Sequence, residues 1–233
     1  MTGSQQVELS ETDVAKANRS LADASPPEVV RWAHERFHDS CVATVSLQNP
    51  VLAHLLTVHA PGIPLVFLDT QYHFKPTLDY RERLQEHLGR PIEVVEPGIP
   101  KDDRWRWNQT ECCRLRKVEP TRALLTRRSA WVTGVRASDN VGRGMAAHLE
   151  YDARYPVVRV NPLLDMSDQD MDAYVATHGL PVHPLTEQGY KSIGCWPCTT
   201  PVRDGEDARA GRWRGSTKTE CGLHYMYEQH PNL

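Results

Sequence analysis

Short, mostly apolar runs alternate with amphipathic stretches along most of this chain. Cys41–Val45, Ile63–Leu68, Ile92–Val95, Ala130–Gly134 and Val157–Val160 predict five strands, apolar enough to be covered on both faces. The segments between them carry helical spacing. A first helix is expected over Asp13–Ala24, after about ten disordered residues. Pro26-Pro27 opens a second over Glu28–His38, with Val29, Val30, Ala33 and Phe37 on one face. Val51, Leu52, Leu55 and Leu56 mark a third, and Pro76 starts a fourth that runs to Leu88. Cys112–Val118 suits a short helix, and Pro120 begins another carrying Leu124 and Leu125. Ser167 is a good N-cap, with Asp168 and Asp170 in the first turn of a helix that reaches His178 and stops at Gly179-Leu180-Pro181. Trp105–Thr110, the polar loop from Gly134 to Gly144 and the tail after about Gly179 show no regular period.

Strands alternating with helices predict an α/β fold with a mainly parallel sheet and helices on both faces. No internal repeat or domain boundary is visible, so residues 1–233 read as one domain, with 205–233 a mobile C-terminal tail. In such folds ligands bind beyond the carboxyl ends of the strands, which singles out the loops 46–50, 69–73 and 134–143.

Composition narrows the function. A charge of −3 argues against binding driven by global attraction to nucleic acid. The charge is uneven, however. Arg104 to Arg128 holds eight Lys or Arg against Glu111 and Glu119 alone, and Arg203, Arg209, Arg212 and Arg214 cluster later. Two basic segments in an acidic chain point to a local anion site. No apolar run reaches the roughly 20 residues of a membrane helix, and the polar stretch Met1–Lys16 is no secretory signal. A cytoplasmic location is expected, where clustered cysteines more often bind metal or react than form structural disulfides.

Three of the six cysteines lie between Tyr190 and His224. Cys195-Trp196-Pro197-Cys198 is a C-x-x-C pair, a spacing that lets two thiolates grip one metal centre from a tight turn favoured by Gly194 and Pro197. Upstream, Cys112-Cys113 taken alone reads as two buried helix cysteines. Paired with the C-x-x-C it gives four thiols, and neighbouring thiolates suit the corners of a cubane iron–sulfur cluster better than a zinc ion. Lys117, one turn after Cys113, would lie on the same face and offset cluster charge or meet an anionic ligand. Cys221 is the spare thiol. Lys218, His224 and nearby arginines would favour its thiolate. Cys41, in an apolar strand, is expected to be core. Trp105 and Trp107 are expected to pack rather than stack on a base. The eleven histidines show no ligand spacing, and only His73 and His224 lie in segments with expected function.

Together these residues resemble the assimilatory adenylyl-sulfate reductases, the iron–sulfur branch of the phosphoadenylyl-sulfate and adenylyl-sulfate reductase family. The resemblance extends from about Val42 to His224 and rests on Glu111–Pro120, Ser192–Thr199 and Lys218–His224, supported by Phe67–Thr70 and Ala130–Gly134. It implies an adenine nucleotide alpha-hydrolase-like fold and one 4Fe–4S cluster on Cys112, Cys113, Cys195 and Cys198. It implies that Cys221 attacks adenosine 5′-phosphosulfate, releasing AMP and leaving an S-sulfocysteine from which thioredoxin frees sulfite, in sulfate assimilation and cysteine biosynthesis. By the same resemblance Lys117, Arg143, Arg209 and Arg212 hold the phosphosulfate, Ser46, Leu68, Thr70 and Gly134 line the nucleotide pocket, and His224 joins the substrate-binding set. A homo-oligomer is compatible with it.

The chain departs from the family pattern at Asn49, where relatives usually carry an acid, at Gln71, where Gly is common, and at Ala137, where a second Arg often follows Arg136. A 3′-phosphoadenylyl-sulfate reductase is the main alternative, but members restricted to that substrate generally lack the four cluster cysteines. An iron–sulfur tRNA-thiolating enzyme of related fold and a non-enzymatic zinc module are weaker alternatives, disfavoured by the net charge and by the set of matching motifs.

Overall fold

The computed structural model describes residues 9–139 and 146–224. The first eight residues, residues 140–145 with Arg143 among them, and the tail beyond His224 lie outside the described residues.

Six strands form one sheet: β1 (Cys41–Thr44), β2 (Leu65–Leu68), β3 (Ile92–Val95), β4 (Ala130–Val132), β5 (Leu149–Asp152) and β6 (Val157–Val160). The order is β3-β2-β1-β4-β6-β5. All neighbours are parallel except β5, which runs antiparallel to β6 at one edge, with Leu149 opposite Val160. The winding reverses at β1, which lies between β2 and β4. The crevice beyond the carboxyl ends of these strands is therefore the place where such sheets take ligands.

The helices are α1 (Glu11–Ser20), α2 (Pro26–Phe37), α3 (Val51–His59), α4 (Lys75–Leu88), α5 (Gln109–Cys113), α6 (Glu119–Leu125) and α7 (Asp168–Thr177). Their starts follow local chemistry. Ser10 with Asp13, Ser25 with Glu28 and Ser167 with Asp170 form reciprocal capping boxes. The first of these sets α1 two residues earlier than the apolar spacing predicted. Gly89, in the left-handed region at φ 60°, closes α4.

Alternation along the strands divides the core in two. Cys41, Ala43, Leu65, Phe67, Ala130, Val132, Val158 and Val160 face the large core built by α1, α2, α3, α4 and α7. Val42, Val66, Trp131 and Val157 face a smaller one, completed by Leu125 of α6, by Tyr155 and by Leu223 of the C-terminal tail. Helices thus lie on both faces, but the tail closes the second. Burying a leucine stabilises by about 2 kcal/mol, so Leu223 holds the tail without making it permanent.

Strand β5 was not foreseen. Its inward polar side chains mask the alternation: Glu150 pairs with Arg159 at 2.7 Å, and Asp152 is buried beside Arg154 at 2.8 Å. Its outer edge is not left bare. Asn18 of α1 donates to the Leu149 carbonyl at 2.7 Å and accepts its N–H at 2.9 Å.

Candidate active site

The helical stretch from Gln109 to Leu125 is one rod with a wide π turn, Arg114–Val118, between α5 and α6. Pro120 lacks the N–H that would close an ordinary α turn there, and a wide turn accommodates the missing bond. Asn108 caps the rod, its side-chain oxygen accepting the Glu111 N–H at 2.9 Å. Cys112, Cys113 and Lys117 line a single cleft from this rod, as the spacing predicted.

The other wall comes from the irregular segment after α7. Cys195 pairs with His73 as an isolated antiparallel bridge, and the Trp196 N–H donates to the Tyr72 carbonyl at 2.8 Å, fastening this wall to the loop after β2. Gln48, in the loop after β1, stitches the approach: it donates to the Lys191 carbonyl at 3.1 Å and accepts from the Ile193 N–H at 3.2 Å. The C-x-x-C turn is closed by Cys198 N–H to the Cys195 carbonyl at 3.0 Å. All four predicted ligand cysteines, with Thr70, Tyr72, Lys117, Arg212 and Trp213, line one cleft. Among the described residues no histidine or carboxylate lines it. Among the described residues no three His, Cys, Asp or Glu converge tightly enough to grip one metal ion. Four thiols lining one cleft are the kind of donor set that an iron–sulfur cluster takes.

Burial pushes the Cys113 thiol up to about 12 and the Cys198 thiol to about 11, and also raises Cys112. As free thiols they are inert at neutral pH, and metal would have to displace their protons. Cys41 lies in the large core and is pushed to about 12 by burial, the inert case expected of it. Cys221 behaves differently. Burial alone would raise it, but Lys117 close by pulls it down, Glu220 opposes that, and the Leu223 N–H and Arg212 pull it further, so its thiol lies below the ordinary value. Burial works against the charge on Lys117 too, but negative charge on Cys195, Cys221 and Cys113 in their thiolate forms raises it above the ordinary lysine value. One half-buried ammonium therefore serves both the cleft and Cys221.

The remaining predicted residues separate by location. Thr70 is buried, accepts the Tyr72 N–H at 3.3 Å and touches the Cys195 sulfur at 3.2 Å, so it faces the cysteine cleft. Leu68 is half-buried at the end of β2 against the smaller core. Ser46 and Gly134 are exposed at the carboxyl ends of β1 and β4, and among the described residues a Cβ on Gly134 would meet Leu52 at 3.7 Å, an ordinary contact. Arg212 lies across Gly194, donates to Ser192 at 3.2 Å and covers the Trp213 ring at 4.6 Å. A Cβ at Gly194 would stand 2.4 Å from its guanidinium. Arg209 holds the tail, donating to the Thr219 carbonyl at 3.0 Å and pairing with Glu220 at 3.2 Å. His224 stacks on Trp131, ring centroids 5.1 Å apart and nearly parallel. His73 donates to the Leu68 carbonyl at 3.1 Å; burial and Lys117 hold it neutral, at about 4.

The structure places two of the departures from pattern, Gln71 and Asn49, in local roles, and leaves Ala137 without one. Gln71 adopts φ 68°, where glycine is easiest, and its side chain accepts from buried Arg116 at 2.7 Å. Asn49 accepts the Val51 N–H at 2.8 Å at the start of α3, a role an acid would also fill. Arg136 is engaged by Asp139 at 2.9 Å and Asp168 at 2.7 Å. Sequence reasoning passed over Arg116, Trp213 and Tyr72, which brace the cleft walls: Arg116 covers the Tyr72 ring at 4.9 Å. Only the position of Trp213 inside the arginine-rich segment hinted at this.

A family model described as the phosphoadenosine phosphosulfate reductase domain matches residues 40–201. The adenosine 5′-phosphosulfate reductase of Streptomyces coelicolor is 39% identical over 220 residues, covering 90% of this chain and 92% of that protein. The adenosine 5′-phosphosulfate reductase of Mycobacteroides abscessus is 40% identical over 212 residues, covering 88% and 90%. Among solved structures, the phosphoadenylyl-sulfate reductase of Candida auris, in a phosphate complex, superposes with a TM-score of 0.74 at 26% identity, over 84% of this chain and 100% of that one. The FMN adenylyltransferase of Candida glabrata shares the fold alone, with a TM-score of 0.57 at 14% identity, over 83% and 67%.

Proposed function

The chain belongs to the phosphoadenosine phosphosulfate reductase family, and from that premise we propose that it reduces adenosine 5′-phosphosulfate to sulfite and AMP with electrons from a dithiol protein, thioredoxin. The observation that carries the reading is the placement of Lys117, which lines the cleft of four cysteines and pulls down the Cys221 thiol. Curated relatives similar over most of the chain are named for the unphosphorylated nucleotide.

The Cys221 thiolate attacks the sulfate sulfur, an S–S bond forms, and the S–O bond to the phosphate breaks with its electron pair leaving on AMP. Lys117, Arg209 and Arg212 stabilise charge gathering on the departing phosphate, and Arg143 is assigned the same role from the sequence. Ser46, Leu68, Thr70 and Gly134 are assigned to the nucleotide pocket. Ser46 and Gly134 stand open at the crevice, and Thr70 would serve it from the cysteine side. His224 lies with the tail on Trp131 and would reach substrate as the tail moves. A thiolate of the reductant then attacks the Cys221 sulfur, sulfite leaves with the bonding pair, and the second thiol of the reductant resolves the mixed disulfide. Two electrons pass from dithiol to sulfur and none are left over.

Cys112, Cys113, Cys195 and Cys198 would hold the 4Fe–4S cluster. When bound, it supplies a covalent cross-link between the α5 rod and the C-x-x-C turn and a fixed charge beside Lys117. The reading is tested by sulfite release from adenosine 5′-phosphosulfate and from its 3′-phosphorylated form, each with thioredoxin. Preference for the first is expected. Equal or greater turnover of the second would assign the phosphoadenylyl-sulfate specificity named for the Candida auris neighbour. A protein purified without oxygen should be brown. A colourless protein containing zinc would remove the cluster from the reading.

A further inference from the structure

The antiparallel hairpin β5–β6 carries chemistry that the reaction above does not use. Its turn holds Arg154, whose guanidinium donates to the Gly222 carbonyl at 3.1 Å and to the Leu223 carbonyl at 3.2 Å, the two residues directly after Cys221. The other edge of the same fork meets Asp152 at 3.0 and 2.8 Å. Asp152 is buried, which fixes the plane of the guanidinium and neutralises its charge. The guanidinium of Arg154 lies over the Tyr155 ring, its carbon 5.1 Å from the centroid. Tyr155 in turn meets Trp131 edge-on at 5.6 Å, in the small core that receives Leu223.

We propose that Arg154 is the latch of the catalytic tail, a positioning residue that holds the two carbonyls following Cys221 and so sets how often the thiol stands beside Lys117. Its charge is already matched by Asp152, so it acts on the tail and not on an anionic substrate. Arg209 grips the tail before the cysteine, at Thr219 and Glu220. Arg209 is also assigned to the phosphosulfate. When substrate recruits it, Arg154 is left to hold the tail from the other side. Hydrogen bonds to backbone carbonyls suit a latch that must open, because they are remade at each closure whatever the thiol carries.

The inference rests on Cys221 being the attacking thiol, but its first test does not. Hydrogen exchange of the intact, cluster-loaded protein without nucleotide should be compared with Arg154→Gln. Exchange of amides in residues 216–224 is expected to rise about tenfold, with β5 and β6 unchanged. Mixed with adenosine 5′-phosphosulfate, the variant should release its burst of AMP about tenfold more slowly and to the same amplitude. Sulfite release from preformed adduct by thioredoxin should be no slower. If Arg154→Gln does not fold, Arg154→Lys, which keeps a charge opposite Asp152 but lacks the fork, is expected to give the same tail-confined change. Unchanged tail exchange, a rise spread equally over β5 and β6, or failure of both variants to fold would overturn the latch. An absent AMP burst in the unmodified protein would sink the proposed function and leave the exchange result standing.

Discussion

Lys117 is the residue on which the two halves of the site depend. The π turn before Pro120 brings it into the cleft beside Cys113, and the docked tail brings Cys221 to it. Lys117→Ala should leave iron and sulfide content intact, because a lysine offers no ligand bond, while slowing AMP release by roughly 10²-fold, the cost typical of losing one charge-stabilising donor. The pH profile should move as well. In the proposed reaction Cys221 acts as its thiolate, and Lys117 lowers the pH at which that form appears. Removing the ammonium should shift the rising limb of the AMP-burst rate to higher pH, and a shift to lower pH would refute the pairing. Neighbouring glycines differ in what they tolerate. At Gly194 the nearest atoms a methyl group meets are the guanidinium end of the Arg212 side chain, which can shift, whereas at Gly211 it would stand 2.0 Å from the Thr200 backbone carbonyl. Gly211→Ala should therefore lose about 1–3 kcal/mol of stability by overpacking, read as a lowered denaturation midpoint, with Gly194→Ala losing less.

At the scale of elements, the cleft is a junction between the α5 rod and a segment with little regular structure. The Cys195–Cys198 turn is held by its own closing hydrogen bond, by the bridge to His73 and by the Trp213 N–H to the Cys198 carbonyl at 2.9 Å. A shared cluster would make rod and turn one unit. Cys112→Ser and Cys195→Ser should each lose iron, and each should lower the thermal midpoint as well as activity, since thiolate ligation contributes to folding. Full iron and sulfide content in either variant would contradict the ligand assignment. The element-scale reading of the sequence succeeded wherever apolar period and capping agreed: β1 to β4, β6, α2, α4 and α7 lie where they were expected, within two residues at their ends. It missed β5 because Glu150 and Asp152 are satisfied by Arg159 and Arg154, partners visible only once the hairpin exists.

For the whole molecule, the tail is both a wall of the small core and the carrier of Cys221, the proposed nucleophile. Without reductant, adenosine 5′-phosphosulfate should release about one AMP per site and stop, the stoichiometry of a covalent intermediate. Intact mass should rise by one SO₃ group, localised to Cys221, and Cys221→Ser should keep its cluster and form no adduct. Continuing sulfite production over an unmodified Cys221 would mean direct attack by the external thiol. Protease cleavage of the tail should also slow when nucleotide binds. Sequence alone determined the α/β class, the strand and loop order, and the residue types of the chemistry, because apolar period, caps and thiol spacing are local properties of a chain. It named Cys112, Cys113, Cys195, Cys198, Lys117 and Cys221 as candidates. Only the tertiary structure decided that the four thiols share one cleft, that Lys117 serves both cleft and tail, and that Arg154 reaches the backbone beside Cys221. Those contacts join residues far apart in sequence, and the forces behind them, burial and charge at a few ångströms, exist only after the chain has closed on itself.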